Sequence, residues 1–563
     1  MQSSTPSNLR TGGQILVDCL RLHGVDTVFC VPGESYLATL DAFHDVQEQI
    51  NLVVCRQEGG VSNMAEAWGK MTGNPGIGFV TRGPGATNAS VGIHTAKQDS
   101  TPLILFVGQV ARDMAEREAF QEVDYRRMFG EMTKWVAQID NPARIPEMVS
   151  RAFHVACSGR PGPVVLALPE DMQTERTAIE DGNKYNASQA YPSPKDMEQV
   201  RELLARANKP LLLVGGGGWS QDACRDLLLF SEKNDLPLAG TYRRQDIVDN
   251  RHPNYAGVIG LGVNPKLKQR LDDADLLIVL GAQLGEIITG GYTYLTFPKP
   301  RQTLIHISAG AEELSKVYQA DLGINSGMAE FCSAAIEMDP VPIKWQEHKT
   351  NAHKEYLDYS TPGEMPGKVN YSKIVGWLSD NLPEDAIITN GAGNYTVWIH
   401  RFFRYKGYGT QLAPQSGAMG YGVPSGVSAG ICHRDRIVVS FNGDGCFQMN
   451  GQEIGTAVQQ NVNVIFIVIN NGMYGTIRMH QETYYPNRKS GTDLVNPDFA
   501  ALARSYGAHG ETVTATDEFH SAFERCRSVE GPALIELVID PDAVLPTNTL
   551  SGIRAKALND KER

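Results

Sequence analysis

The run Ile437-Val-Val-Ser-Phe-Asn-Gly443-Asp444-Gly445, a helical stretch, and then Val464-Ile-Phe-Ile-Val-Ile-Asn470-Asn471-Gly472 read as one strand–helix–strand unit. Short, almost wholly apolar runs of this kind belong to strands buried on both faces, the habit of parallel α/β sheets. Such sheets bind ligands beyond the carboxyl ends of their strands. Asp444 and Asn471 end two such strands, one crossover apart. A carboxylate, an amide oxygen and a nearby backbone carbonyl supply half an octahedron to a hard cation such as Mg²⁺, which a diphosphate and water complete. Gly443 and Gly445 let the backbone approach phosphate, and the next helix offers its N-terminal amides. A lone Gly-Asp-Gly is an ordinary strand-to-helix turn. The strand-terminal Asn-Asn pair turns the reading toward metal and phosphate.

Outward from this unit the alternation of apolar runs and amphipathic stretches extends over the whole chain, the pattern of βα units. Strands are expected at 25–31, 51–55, 76–81, 102–107 and 163–168, with helices at 59–70 and 145–156. A polar linker follows at 174–194. A second α/β segment opens at 210–218, has later strands at 275–280 and 303–307, and fades near Pro340. Residues 344–368 are charged and strand-poor, a second linker. The third segment has strands at 386–389, 436–441, 462–469 and 532–538. The expectation is an α/β protein of three consecutive doubly wound parallel-sheet domains at 1–175, 190–342 and 369–545, with a C-terminal tail at 546–563.

Composition narrows the function. Of 563 residues, 42% are hydrophobic and 20% charged, the soluble globular range. A net charge of −13 argues against a nucleic-acid or anionic-membrane surface. The nine cysteines are scattered and odd in number, with no CxxC, so neither a disulfide framework nor a zinc motif is read. No apolar stretch approaches the ~18 residues of a membrane span. The opening MQSSTPSNLR lacks the apolar core of a secretory signal, and a cytoplasmic enzyme is expected.

Gly-Asp-Gly followed by Asn-Asn at this spacing resembles the thiamine-diphosphate-dependent enzymes, and the rest of the chain resembles their acetolactate synthase, pyruvate oxidase and benzoylformate decarboxylase branch. The resemblance covers almost the whole chain and implies a pyrimidine-binding domain, a central domain and a diphosphate-binding domain. It implies that Glu58, in Val53-Val-Cys-Arg-Gln-Glu58, hydrogen-bonds the cofactor's aminopyrimidine nitrogen and so activates the thiazolium carbon. An apolar run before Glu58 and a Gly59-Gly60 turn after it suggest a sheltered carboxyl with a raised pKa. Asp444, Asn471 and the Met473 backbone are implied as Mg²⁺ ligands. Gly391, Gly393 and Asn394 are implied at the diphosphate, with Gly443, Gly445, Cys446, Tyr474 and Gly475. Gly417-Ala-Met419-Gly resembles the segment that supports the bent cofactor, with Met419 between its rings. Gly83-Pro-Gly-Ala-Thr-Asn88 resembles the loop after the third strand.

Within the branch the best local match is to acetolactate synthase. Phe120-Gln121-Glu-Val-Asp124 followed by Thr133-Lys-Trp resembles its substrate channel, and Gly33, Glu34, Phe120 and Gln121 are implied on the substrate side. The histidines that mark simple decarboxylases are absent, which favours capture of a second carbonyl compound. The implied activity is decarboxylation of a 2-oxo acid with carboligation to a second 2-oxo acid or aldehyde, in a homodimer or homotetramer with shared sites. Alternatives are a non-ligating decarboxylase or aldehyde lyase, and a catalytically silent regulatory subunit. Two departures stand out: Glu34 replaces a glycine and Glu170 a lysine, and Glu34 reads either as a salt-bridged structural carboxylate or as a specificity residue. Stretches 215–218, 257–262 and 281–286 fall where synthases hold FAD, yet Gln283 and residues 308–310 replace the basic residue and acidic pair expected there, so FAD stays an alternative. Gly426-Val-Ser428-Ala-Gly430 has the spacing of a nucleophile elbow, but without a strand before it the stretch reads as a closely packed helix.

Overall fold

The structure, a computed structural model, describes residues 9–561; residues 1–8, which carry most of the stretch examined for a secretory signal, lie outside them. The chain divides into two compact units, the first ending at Ser188 and the second beginning at Gln189.

The first unit is built on one six-stranded sheet of Thr27–Cys30, Asn51–Val54, Gly76–Val80, Leu103–Gln109, Trp135–Gln138 and Pro163–Pro169. All pairings are parallel, and counting strands in chain order the sheet runs 2-1-3-4-6-5. The second unit carries two parallel sheets. One comprises Pro210–Val214, Leu238–Thr241, Tyr255–Ile259, Leu276–Leu280, Thr303–Ser308 and Leu322–Asn325, in the order 3-2-1-4-5-6. The other comprises Ile387–Asn390, Gln411–Leu412, Val438–Gly443, Val464–Asn470, His509–Val513 and Ala533–Val538, and repeats the 2-1-3-4-6-5 order of the first unit. The protein is therefore α/β with three doubly wound parallel sheets, and its outer two share one topology.

Burial explains which strands the sequence announces. Leu103–Gln109 and Pro163–Pro169 are buried at every position, as central strands covered on both faces. Of the strands the sequence reading leaves out, Leu238–Thr241 is internal and buried throughout, and the others are at sheet edges. Trp135–Gln138, Leu322–Asn325 and His509–Val513 are edge strands with partly exposed patterns, and Gln411–Leu412 has two residues. Helix starts follow local chemistry. Thr11 closes a capping box with Gln14 on Gly12–Leu22, and Ser193 does the same with Asp196 on Pro194–Arg206.

Three segments differ from their sequence reading. Residues 83–88 are not a loop but the first turns of helix Gly83–Asp99, which Pro84 starts with its fixed φ. The charged stretch 344–368 holds helix Gln346–Tyr359, anchored by buried Ala352 and by Tyr356, whose ring meets Tyr255 edge-on at 4.9 Å. The expected tail contains helix Leu550–Lys561, from which Arg554 reaches the fully buried Glu482 at 2.8 Å. Ser428 is buried within helix Gly422–Cys432, so the elbow spacing is packing and not a nucleophile.

Candidate active site

In the last sheet, Gly443 stands opposite Ile469 in parallel register, so Asp444 and the Asn470-Asn471 pair leave neighbouring strands side by side. On the other flank Asn390 pairs with Phe441, and the chain turns out through Gly391, Gly393 and Asn394. The first and third strands, which these loops end, are where the strand order reverses. That crevice is the ligand position of open α/β sheets.

Asp444 is 3% exposed and starts helix Asp444–Asn450. Its Oδ1 accepts the Gly445 N–H at 2.9 Å, and its Oδ2 accepts the Gly472 N–H at 2.9 Å and the Asn496 amide at 2.8 Å. Burial pushes its carboxyl above the ordinary range, against the pull of those donors. The same Asn496 amide donates to Asn470 Oδ1 at 2.8 Å, while Asn470 Nδ2 donates to Glu536 at 2.7 Å. Asn496 is delivered by a return segment. Tyr474 N–H donates to Thr492 O at 2.8 Å and Leu494 N–H to Gly472 O at 2.9 Å, so this segment runs antiparallel beside Gly472–Tyr474.

A cavity of about 220 Å³ opens at this crevice. Gly393, Asn394, Gly417 and Met419 line one part, and Gly443, Asp444, Gly445 and Cys446 another. Asn471, Met473, Tyr474 and Gly475 complete the set named from sequence. Gly391 stands just behind, where a Cβ would lie 2.4 Å from Cys446 Sγ, itself bonded by Gly420 N–H at 3.2 Å. A Cβ on Gly445 would come within 2.5 Å of the Tyr474 ring, so only glycine fits there. Met419 both lines the cavity and packs on the core of this sheet. Asn394 N–H donates to Thr476 Oγ1 at 3.0 Å, which ties the first-strand loop to helix Gly475–Tyr484.

The first unit places the other expected residues along the carboxyl edge of its own sheet. Glu58 begins helix Glu58–Thr72, whose N-cap Gln57 accepts backbone N–H groups of Gly59 and Gly60. Those two glycines are helical, which corrects the expected turn. Glu58 is half-buried, and its Oε2 accepts the Asn88 amide at 2.9 Å. Gly33 packs against Thr81, where a Cβ would lie 2.5 Å from Thr81 Cβ. Glu34 pairs with Arg82 at 3.2 Å while its side chain stays 64% exposed. Gln121 O accepts the Gly83 N–H at 2.9 Å, and Phe120 beside it is 70% exposed.

Residues 10–128 match the thiamine pyrophosphate enzyme N-terminal TPP binding domain, 197–335 its central domain, and 391–537 its C-terminal TPP binding domain. The acetolactate synthase isozyme 2 large subunit of Escherichia coli is 31% identical over 532 residues, 94% of this chain and 95% of that protein. The acetolactate synthase large subunits of Parasynechococcus marenigrum and Corynebacterium glutamicum are each 30% identical, covering 95% and 96% of this chain and 88% of each protein. The chain belongs to the thiamine diphosphate enzymes.

For a thiamine diphosphate enzyme the donor set of the crevice fits its cofactor. One buried carboxylate, one amide oxygen and adjoining backbone carbonyls are hard oxygen ligands, and glycine-lined backbone with the start of helix Gly475–Tyr484 suits a diphosphate. The central sheet gives FAD no such support. At its order reversal, between Pro210–Val214 and Leu276–Leu280, a Cβ on Gly216 would lie 2.0 Å from Gly281 O. These glycines serve the packing of one loop on the other. Sequence reasoning missed Asn496, Thr476 and Arg82. No local pattern marks the first two, since each acts through a tertiary contact; Arg82 was visible only as the residue before a Gly-Pro-Gly.

Proposed function

We propose that this thiamine diphosphate enzyme decarboxylates a 2-oxo acid and joins the remaining acyl unit to a second carbonyl compound. The observation that carries the reading is buried Asp444 at the order reversal of the last sheet, lining one cavity with Asn471, which leaves the neighbouring strand. In this reading Asp444, Asn471 and the Met473 carbonyl hold Mg²⁺, while Gly391, Gly393, Asn394 and the backbone of Gly443, Gly445, Cys446, Tyr474 and Gly475 hold the diphosphate. Gly417 and Met419 support the rings. Bound thiamine diphosphate supplies an electron sink for the bond that releases CO₂. Glu58 would hydrogen-bond the cofactor's ring nitrogen through its carboxyl, and Asn88 orients that carboxyl through Oε2. Gly33, Glu34, Phe120 and Gln121 border the substrate.

Ligation is favoured over simple release of an aldehyde, because no histidine stands in the loops after the first, second, third, fourth or sixth strand of the first sheet. Those loops therefore offer no imidazolium to protonate the product. A homodimer or homotetramer with sites shared between subunits belongs to the same reading, on the likeness to the thiamine diphosphate enzymes. The nine free cysteines support a reducing, cytoplasmic setting, and among the described residues no helix is long and apolar enough to cross a membrane.

The test is a screen of 2-oxo acids with and without added aldehydes, in thiamine diphosphate and Mg²⁺, following CO₂ and acyloin products together. CO₂ release with an acyloin product is expected. CO₂ with free aldehyde alone would establish a non-ligating decarboxylase, and no CO₂ from any 2-oxo acid would overturn the reading.

A further inference from the structure

The first sheet has the same order reversal as the last, between Thr27–Cys30 and Gly76–Val80. Glu34 follows one of these strands and Arg82 the other, so their ion pair spans the crevice where such a sheet takes its ligand. Glu58 leaves the same edge one strand away. Glu170, after the sixth strand, reaches the same guanidinium nitrogen: Arg82 Nη2 lies 3.2 Å from Glu34 Oε1 and 3.6 Å from Glu170 Oε2. Arg82 Nη1 donates to Phe120 O at 3.3 Å. The two acidic residues thus share one cation.

The charge count decides what this crevice accepts. Two carboxylates on one guanidinium leave a net charge of about −1. Arg82 is 7% exposed and engaged on both terminal nitrogens, so it offers no open face to grip an incoming carboxylate. The Glu34 side chain, by contrast, is 64% exposed, with one oxygen turned to Arg82 and the other able to accept a hydrogen bond. Arg82 Nε is buried and meets no acceptor. The outward Glu34 oxygen suits a hydroxyl donated by an uncharged substrate. It repels a carboxylate at the same place.

We infer that the Glu34–Arg82–Glu170 cluster selects, as the second substrate, an uncharged hydroxyl-bearing aldehyde over a second 2-oxo acid. The inference rests on the carboligation reading above. In the reaction the donor's bond to its carboxylate breaks and CO₂ leaves. The acyl carbon bonds to the aldehyde carbon, and the aldehyde oxygen takes one proton from solution. The product is a hydroxylated ketone, with no net oxidation.

The experiment is a competition within one mixture. Holoenzyme receives the donor 2-oxo acid found by the screen, with glycolaldehyde at equal concentration, and the ratio of the glycolaldehyde adduct to the two-oxo-acid adduct is read by mass spectrometry. Wild type is expected to favour the glycolaldehyde adduct by tenfold or more. Glu34→Gly and Glu34→Gln are expected to move the ratio at least tenfold toward the two-oxo-acid adduct, whatever their absolute turnover. A smaller movement, or a wild-type mixture dominated by the two-oxo-acid adduct, overturns the inference while leaving carboligation standing. A second measurement needs neither turnover nor a variant: ligand-detected NMR of wild-type holoenzyme with propane-1,2-diol and with lactate, which differ by a hydroxymethyl against a carboxylate. At least tenfold tighter diol binding is expected. Equal or tighter lactate binding overturns the inference even if the screen yields no product.

Discussion

Asn496 donates its side-chain amide at 2.8 Å to Asp444 Oδ2, and at 2.8 Å to Asn470 Oδ1, although 52 residues separate it from Asp444. Among the described residues it is the one side chain that donates to this carboxylate; Gly445, Gly472 and Met473 give backbone N–H groups. Groups that orient a metal ligand from behind typically contribute 10–100-fold to metal affinity. Asn496→Ala is therefore expected to weaken Mg²⁺-dependent thiamine diphosphate binding by ~10–100-fold, and Asp444→Ala or chelation of Mg²⁺ to abolish retention. Calorimetric titration with cofactor and Mg²⁺ measures both. An unchanged affinity in Asn496→Ala would remove Asn496 from the site.

Glu58 is half-buried and held by Asn88, so Glu58→Gln can keep the shape and still meet Asn88 while losing the shared proton. Cofactor binding is expected to stay within a few-fold, and turnover to fall by the ~10²–10⁴ of a positioned acid–base group. Steady-state rates beside cofactor titrations make the comparison. Turnover equal to wild type would dismiss the proton role.

Subunit exchange tests whether sites are shared. Glu58→Ala and Asp444→Ala each damage one half of the proposed site, so in a mixed dimer one of the two shared sites regains both intact halves. The mixture is expected to recover part of the wild-type rate, up to about a quarter if subunits exchange at random and each repaired site is independent. Native mass spectrometry confirms that mixed dimers form. Activity that stays at the level of the separate variants in proven mixed dimers would assign Glu58 and Asp444 to one chain's own site.

What the sequence made legible was what burial writes locally. Val464–Asn470 is apolar because it is covered on both faces, and Asp444 interrupts such a run where a strand must end at a ligand. Edge strand His509–Val513 has water on one side and no apolar run to announce it. Helix Gln346–Tyr359 presents mostly charge, with two buried residues as its anchors. At the site, glycines and Asp444 were readable because the backbone itself approaches the ligand. Asn496 and Arg82 were not, because an orienting side chain is defined by the partner it meets across the fold. Glu34 shows the limit from the other side: its oddity was plain in sequence, but its charge balance depends on Arg82 and Glu170, which follow different strands.

The last prediction concerns pH and the first unit alone. His23 is 5% exposed, its ring 4.5 Å from that of Phe153, and its Nδ1 accepts the Tyr185 N–H at 3.2 Å. Burial, helped by the nearby Lys184 charge, lowers its pKa from 6.5 to about 4. The unfolded chain thus binds a proton at this residue more readily than the folded one. Its contribution to stability is complete above pH ~6.5 and is lost as pH falls toward about 4, where the folded form also titrates. A proton on Nδ1 would face the Tyr185 N–H and break that bond. His23→Gln keeps an acceptor for Tyr185 and does not titrate. Between pH 6.5 and 4 the wild-type urea midpoint is expected to fall more steeply than that of His23→Gln, and the two curves to run parallel above pH 7. Parallel curves across the whole range would show that His23 titrates freely in the folded protein.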